Sequence, residues 1–113
     1  MRGHAAAEDT DWAQIVALYD ALAQVAPSPV VELNRAVAVG MAFGPAAGLE
    51  IVDALAAGSA LENYHWLPSV RGDLLVKLGR IDEARGEFER AAAMTRNTRE
   101  RELLLERARG LAH

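Results

Sequence analysis

The sequence has no cysteine, which excludes disulfides, thiolate nucleophiles and cysteine-based zinc sites. Lysine is nearly absent as well: Lys77 is the sole lysine among 12 basic residues. The eleven arginines and abundant alanine point to coding bias, with no functional message of their own. Histidine is scarce: His4, His65 and His113 are too far apart for helical metal-ligand spacing. No long apolar run occurs, because Pro29 to Ala42 is broken by Glu32, Asn34 and Arg35 and is too short to span a membrane. The opening residues lack the apolar stretch of a secretion signal. A cytoplasmic location is the expectation. Glycine-rich phosphate loops and dinucleotide fingerprints are missing, so no cofactor is expected.

What is present is an acidic chain of 113 residues with net charge -4, enough for one domain with its own core. The acidic balance, and the alternation of Arg with Glu around Glu87–Arg90 and Arg99–Glu102, describe solvated helix faces. No direct DNA binding is expected from them. Residues 1–9 show no periodicity and are expected to form a flexible N-terminal segment, leaving 10–113 as the helical domain.

Helix signals follow one another at short intervals. Thr10 is the expected N-cap of a first helix, with Asp11 in its first turn. Trp12, Ile15, Val16, Tyr19 and Leu22 form its apolar stripe. Ser28 and Pro29 have the chemistry of a second start, and that helix runs to about Met41. Val30, Leu33, Val37 and Met41 are expected on its inner face, and Gly40 suits a close crossing. Gly44-Pro45 ends it and opens a third helix to Ala57. Ser59 and Glu62 have capping-box spacing. Pro68 is expected to break the fourth segment into a short helix holding Tyr64, His65 and Trp66 and a fuller one to Leu78. Gly79 turns the chain into a fifth helix, with Ala84, Phe88, Ala91 and Met94 inward. Asn97 and Glu100 open a sixth, carrying Leu104, Ala108 and Leu111. The fold class is therefore all-α.

Gly72, Leu75, Gly79, Ala84, Phe88 and Ala91 resemble a tetratricopeptide repeat in order and spacing, with Pro68 and Arg96 departing from its pattern. A weaker upstream copy places Gly44 35 positions before Gly79. The implied architecture is a right-handed tetratricopeptide-like stack of antiparallel helix pairs.

Several residues invite a functional reading beside a structural one. Trp12 and Tyr19 read first as packing residues and second as a recognition site. Asn34 and Arg35 interrupt an apolar helix. Either they satisfy backbone and carboxylates, with Arg35→Ala costing about 1 to 3 kcal/mol, or they line a partner groove. Arg71 and Asp73, on the first helix of the clear repeat, are candidates for the same groove. Tyr64, His65 and Trp66 could form an aromatic box. His65 lacks an orienting acid beside Ser69 and reads as a hydrogen-bonded structural histidine. Glu83 and Glu87 share what is expected to be a solvent face. No catalytic residue is assigned, and the expectation is a non-enzyme.

The blocks Thr10–Leu22 and Pro27–Val39 resemble the C-terminal extension of a subgroup of bacterial extracytoplasmic-function RNA polymerase sigma factors. The resemblance continues through Gly44–Leu49, Tyr64-His65, Arg71–Leu75, Leu78–Arg80 and Asn97–Arg101. Gly72 stands where that family often carries Ala. The resemblance implies a regulatory domain supporting transcription initiation through contacts with the sigma core or RNA polymerase. The DNA- and polymerase-binding regions of such factors are not within these blocks. Its alternative is a structural module that self-associates into a homodimer. The candidate partner contacts are Asn34, Arg35, Tyr64, His65, Arg71 and Asp73.

Overall fold

A computed structural model describes residues 10–111; the segment 1–9, read above as flexible, lies outside them, as do His4 and His113. Six helices follow in order: α1 (Trp12–Val25), α2 (Pro29–Phe43), α3 (Pro45–Ala57), α4 (Trp66–Lys77), α5 (Ile81–Met94) and α6 (Thr98–Gly110). No strand occurs among the described residues. Each helix packs on the next in sequence, and α2 also reaches α4.

Local chemistry accounts for the boundaries. Asp11, rather than Thr10, is the N-cap of α1: its carboxylate accepts the Gln14 N–H at 3.1 Å, which satisfies one of the orphan donors of the first turn. Ser28 caps α2 through the Val30 N–H with Pro29 behind it. Gly44 alone joins α2 to α3 and has φ +107°, a conformation that side-chain-bearing residues rarely adopt. Gly79 has φ +76° and closes α4 in a Schellman arrangement: Arg80 N–H donates to Leu75 O at 2.9 Å and Gly79 N–H to Val76 O at 3.0 Å.

The expected break at Pro68 does not exist. Residues 58–65 form bends and turns without helix, and the Glu62 N–H donates to the Ser59 backbone carbonyl. Pro68 instead sits in the first turn of α4, where its missing donor has no intrahelical partner to lose. At α6 half of the expected capping box forms. Asn97 accepts the Glu100 N–H at 2.9 Å, while the Asn97 N–H donates to Thr95 Oγ1 at 3.2 Å instead of to Glu100.

The main core joins α2 to α6 around Leu33, Val52, Leu75 and Phe88. Gly72 lies against the Phe88 ring so closely that a Cβ there would stand 2.7 Å from its Cε1. A smaller cluster, Val16 with Ala38 and Val39, holds α1 on α2 and α3, with Trp12, Ile15 and Tyr19 packed against it. The inner face of α2 differs from the expectation. Leu33, Ala36, Ala38 and Val39 are buried, and Val30, Val37 and Met41 are exposed. The small residues turn inward because α3 crosses α2 at Gly40 and Gly48; a Cβ on Gly48 would stand 2.7 Å from Ala36 O. Bulky Val37 and Met41 have no room on that side.

Candidate functional site

The candidate residues separate into three places. Arg35, on α2, reaches back to α1. Its Nε donates to Asp20 Oδ1 at 2.6 Å and its Nη1 to Glu32 Oε2 at 3.0 Å. These bonds, the Asp20 bond foremost, raise the guanidinium pKa further above its already high value against the opposing effect of burial. Asn34, beside it, is exposed. The Arg35 side chain is 27% exposed and both carboxylates are more so, which lowers the expected worth of the contact. Arg35→Ala should cost about 0.5 to 1 kcal/mol, read as a melting-temperature drop of about 2 to 6 °C. An unchanged melt would show that the Asp20 bridge contributes nothing.

Arg71 and Asp73, two positions apart on α4, face different neighbours. Arg71 donates to Asp53 Oδ1 of α3 at 2.8 Å and its Nη1 lies 3.2 Å from Glu87 Oε2 of α5. The Asp53 bond is the main cause of a raised Arg71 pKa, with burial opposing it. Glu87 overturns the solvent-face expectation. It is 6% exposed, held between Arg71 and Arg90, whose Nη2 is 3.5 Å away. The four charged groups line a cavity of about 280 Å³ with Ala56, Leu67 and Pro68. Glu83, its supposed companion, is exposed at the start of α5, where the Arg80 hydrogen bonds hold its carboxyl below the usual carboxylate range.

Asp73 instead pairs with Arg107 of α6, and the Arg107 guanidinium carbon lies 4.1 Å from the Phe88 ring centroid, a cation–π contact. Next to it, His65, Trp66, Ser69, Glu100, Leu103, Leu104 and Arg107 enclose a mostly apolar hollow of about 220 Å³. His65 precedes the first turn of α4, and its carbonyl accepts the Ser69 hydroxyl at 2.9 Å. Its Nε2 is buried and 3.2 Å from Glu100 Oε1, but it is not aligned for a hydrogen bond; the same oxygen accepts the Thr95 hydroxyl at 2.9 Å. The His65 and Trp66 rings lie 4.7 Å apart between centroids, while Tyr64 stands 6.3 Å from His65 and packs on the core. The aromatic run is therefore divided between core and rim.

Sequence reasoning missed Asp53, Arg90, Leu103 and Arg107 and placed Glu87 on a solvent face. One signal was available for part of this set: Asp73 and Arg107 are 34 positions apart, the spacing that brings equivalent positions of successive helix pairs together.

Among the described residues no cluster of three or more His, Asp or Glu could hold a metal ion, and no helix is long and apolar enough to cross a membrane. The fold and its surfaces define an all-helical protein whose polar clusters join helix to helix. No protein-family model matches the chain, and no solved structure matches it. Over 93 residues, 82% of its length, the chain is 50% identical to an uncharacterized protein of Rhizobium meliloti (strain 1021). The chain spans 22% of the length of that relative.

Proposed function

We propose that this chain is a protein-interaction or regulatory domain of an extracytoplasmic-function sigma factor, acting in the cytoplasm on transcription initiation through contacts with the sigma core or RNA polymerase. The observation that carries the reading is the run of sequence blocks from Thr10 to Arg101 that resembles the C-terminal extension of such factors. At finer grain the fold is proposed to be a right-handed tetratricopeptide-like stack. Support comes from the α2–α4 packing and from Leu75, Ala84, Phe88 and Ala91, which share one core cluster, with Gly72 against the Phe88 ring. The match to part of a much longer relative is compatible with a module of a larger polypeptide.

The chemistry of the polar clusters favours binding over catalysis. Arg35, Arg71 and Arg107 each spend their charge on a neighbouring helix. Ser69, His65 and Glu100 do line one hollow, but the Ser69 hydroxyl donates to the His65 backbone carbonyl and not to its ring, so the three do not form a nucleophile, base and orienting acid. The test is a pull-down of sigma factor and polymerase with and without the domain, read beside promoter transcription. Contacts and transcription that depend on the domain are expected; deletion that changes neither would overturn the proposal. The acidic chain alone should form no promoter-selective complex in a DNA titration at moderate salt.

One observation favours a second reading, a homodimer. Leu18, Leu22 and Val25 form an exposed row on α1, with Val25 83% exposed, and a second copy could cover it. Sedimentation across a concentration series decides: a concentration-dependent dimer lost in Leu18→Glu supports self-association, and a strict monomer removes it.

A further inference from the structure

The row Trp66, Asp73 and Lys77 runs along one face of α4 at helical spacing. On its flanks stand Val37 and Met41 of α2 and Leu103 and Arg107 of α6. Two hollows open on this face: the one of about 220 Å³ under Trp66 and Leu103, and one of about 320 Å³ between Val37, Met41 and Lys77. Both have exposed apolar rims; Trp66 is 46% and Leu103 50% exposed. Between the hollows sits the Asp73–Arg107 pair.

Charge and spacing specify what would cover this face. The carboxylate of Asp73 is taken by Arg107. Lys77 Nζ has only the Met41 sulfur, 3.6 Å away, a weak acceptor. Among the described residues Lys77 enters no ion pair. A docked segment therefore meets two apolar hollows and a cation that has no ion-pair partner among the described residues. The α4 residues lining the first hollow centre near position 67 and those lining the second near 73, a displacement along the α4 axis of about 9 to 10 Å at 1.5 Å per residue. Two side chains seven positions apart on an α-helix span about 10.5 Å, and four positions span only about 6 Å.

We propose that the α2–α4–α6 face docks an acidic amphipathic helix, with apolar anchors at positions i and i+7 seated in the two hollows and a carboxylate on Lys77. This deepens the protein-interaction reading, on which it rests, by naming the chemistry of the partner segment.

The test uses a fluorescent synthetic helical peptide with two leucines seven positions apart and glutamates along the same face, titrated by anisotropy against the whole chain. One control carries lysine for each glutamate, and a second places the leucines four positions apart. The acidic i/i+7 peptide should bind about tenfold or more tightly than either control. Lys77→Glu should weaken it by about tenfold, and Leu103→Ser by at least as much. Circular dichroism and the melt of each variant verify that the fold persists. Equal binding of the basic peptide, indifference to both substitutions, or no binding at all would overturn the proposal. Self-association of the chain that is abolished by Lys77→Glu would assign the face to a second copy and equally overturn it. A sigma-factor pull-down that survives Lys77→Glu unchanged rejects this surface while leaving the broader reading standing. Peptide binding without any sigma contact rejects the broader reading alone.

Discussion

Phe88→Ala should destabilise the protein by about 3 to 5 kcal/mol, the range for removing a large buried aromatic ring. Phe88 is completely buried at the centre of the main core, against α4 through Gly72 and beneath the Arg107 guanidinium. Truncation leaves a cavity, because the helices around it are held by their own packing, and it removes the cation–π contact. The midpoint of urea unfolding reads the loss directly. Gly72 supplies a control on mechanism. A Cβ at Gly72 would meet the Phe88 ring at 2.7 Å, so Gly72→Ala alone sets a steric cost against a helix-propensity gain of about 1 kcal/mol. Once the ring is gone the clash goes with it, and Gly72→Ala should stabilise the Phe88→Ala protein. The two substitutions are expected to be non-additive in that direction. Additive effects would show that the Gly72 approach does not constrain the ring.

Arg71→Ala should cost about 2 to 4 kcal/mol, several times the cost of losing Arg35, although both arginines bridge two carboxylates. The difference lies in what each leaves behind. Removing Arg35 returns Asp20 and Glu32 to water. Removing Arg71 strands Glu87, whose side chain is only 8% exposed, with Arg90 as a more distant partner, and an unpaired buried charge carries a desolvation penalty. Replacing both partners, as Arg71→Met with Glu87→Leu, should recover most of the stability, because apolar groups of similar size need no partner. Chemical denaturation of the single and double variants separates these outcomes. A loss below about 1 kcal/mol for Arg71→Ala would place Glu87 in better contact with water than its burial indicates.

Much of this architecture was legible in the chain. Six helices were expected and six occur among the described residues, because their starts and stops are written in short-range chemistry: Ser28-Pro29, Gly44-Pro45, Gly79 and Asn97 each act on the next two or three peptide units. The inward set Ala84, Phe88 and Ala91 followed from a 3.6-residue period on a helix with a single apolar face. The failures share a cause. On α2 nearly every position is apolar, so the period could not say which face turns inward; the Gly40–Gly48 crossing brings Ala36 inward and leaves Val37 and Met41 exposed. Pro68 carries the same restriction in a break as in a first turn, and only the backbone before it distinguishes the two.

The sequence by itself determined the all-helical class, the turn positions and most of the core, since caps, proline, glycine and apolar period act within a few residues. The sigma-factor role stays a proposal, carried by the resemblance of the sequence blocks alone. Tertiary structure alone decided the fate of the charges. Glu87 is buried where its acidic neighbour Glu83 is solvated, Arg71 and Asp73 serve different neighbouring helices, and among the described residues Lys77, beside an apolar hollow, enters no ion pair. A charged side chain carries the same letter in each setting. Its energy is set by how much water remains around it and which opposite charge another helix brings within about 4 Å, and helix packing supplies both.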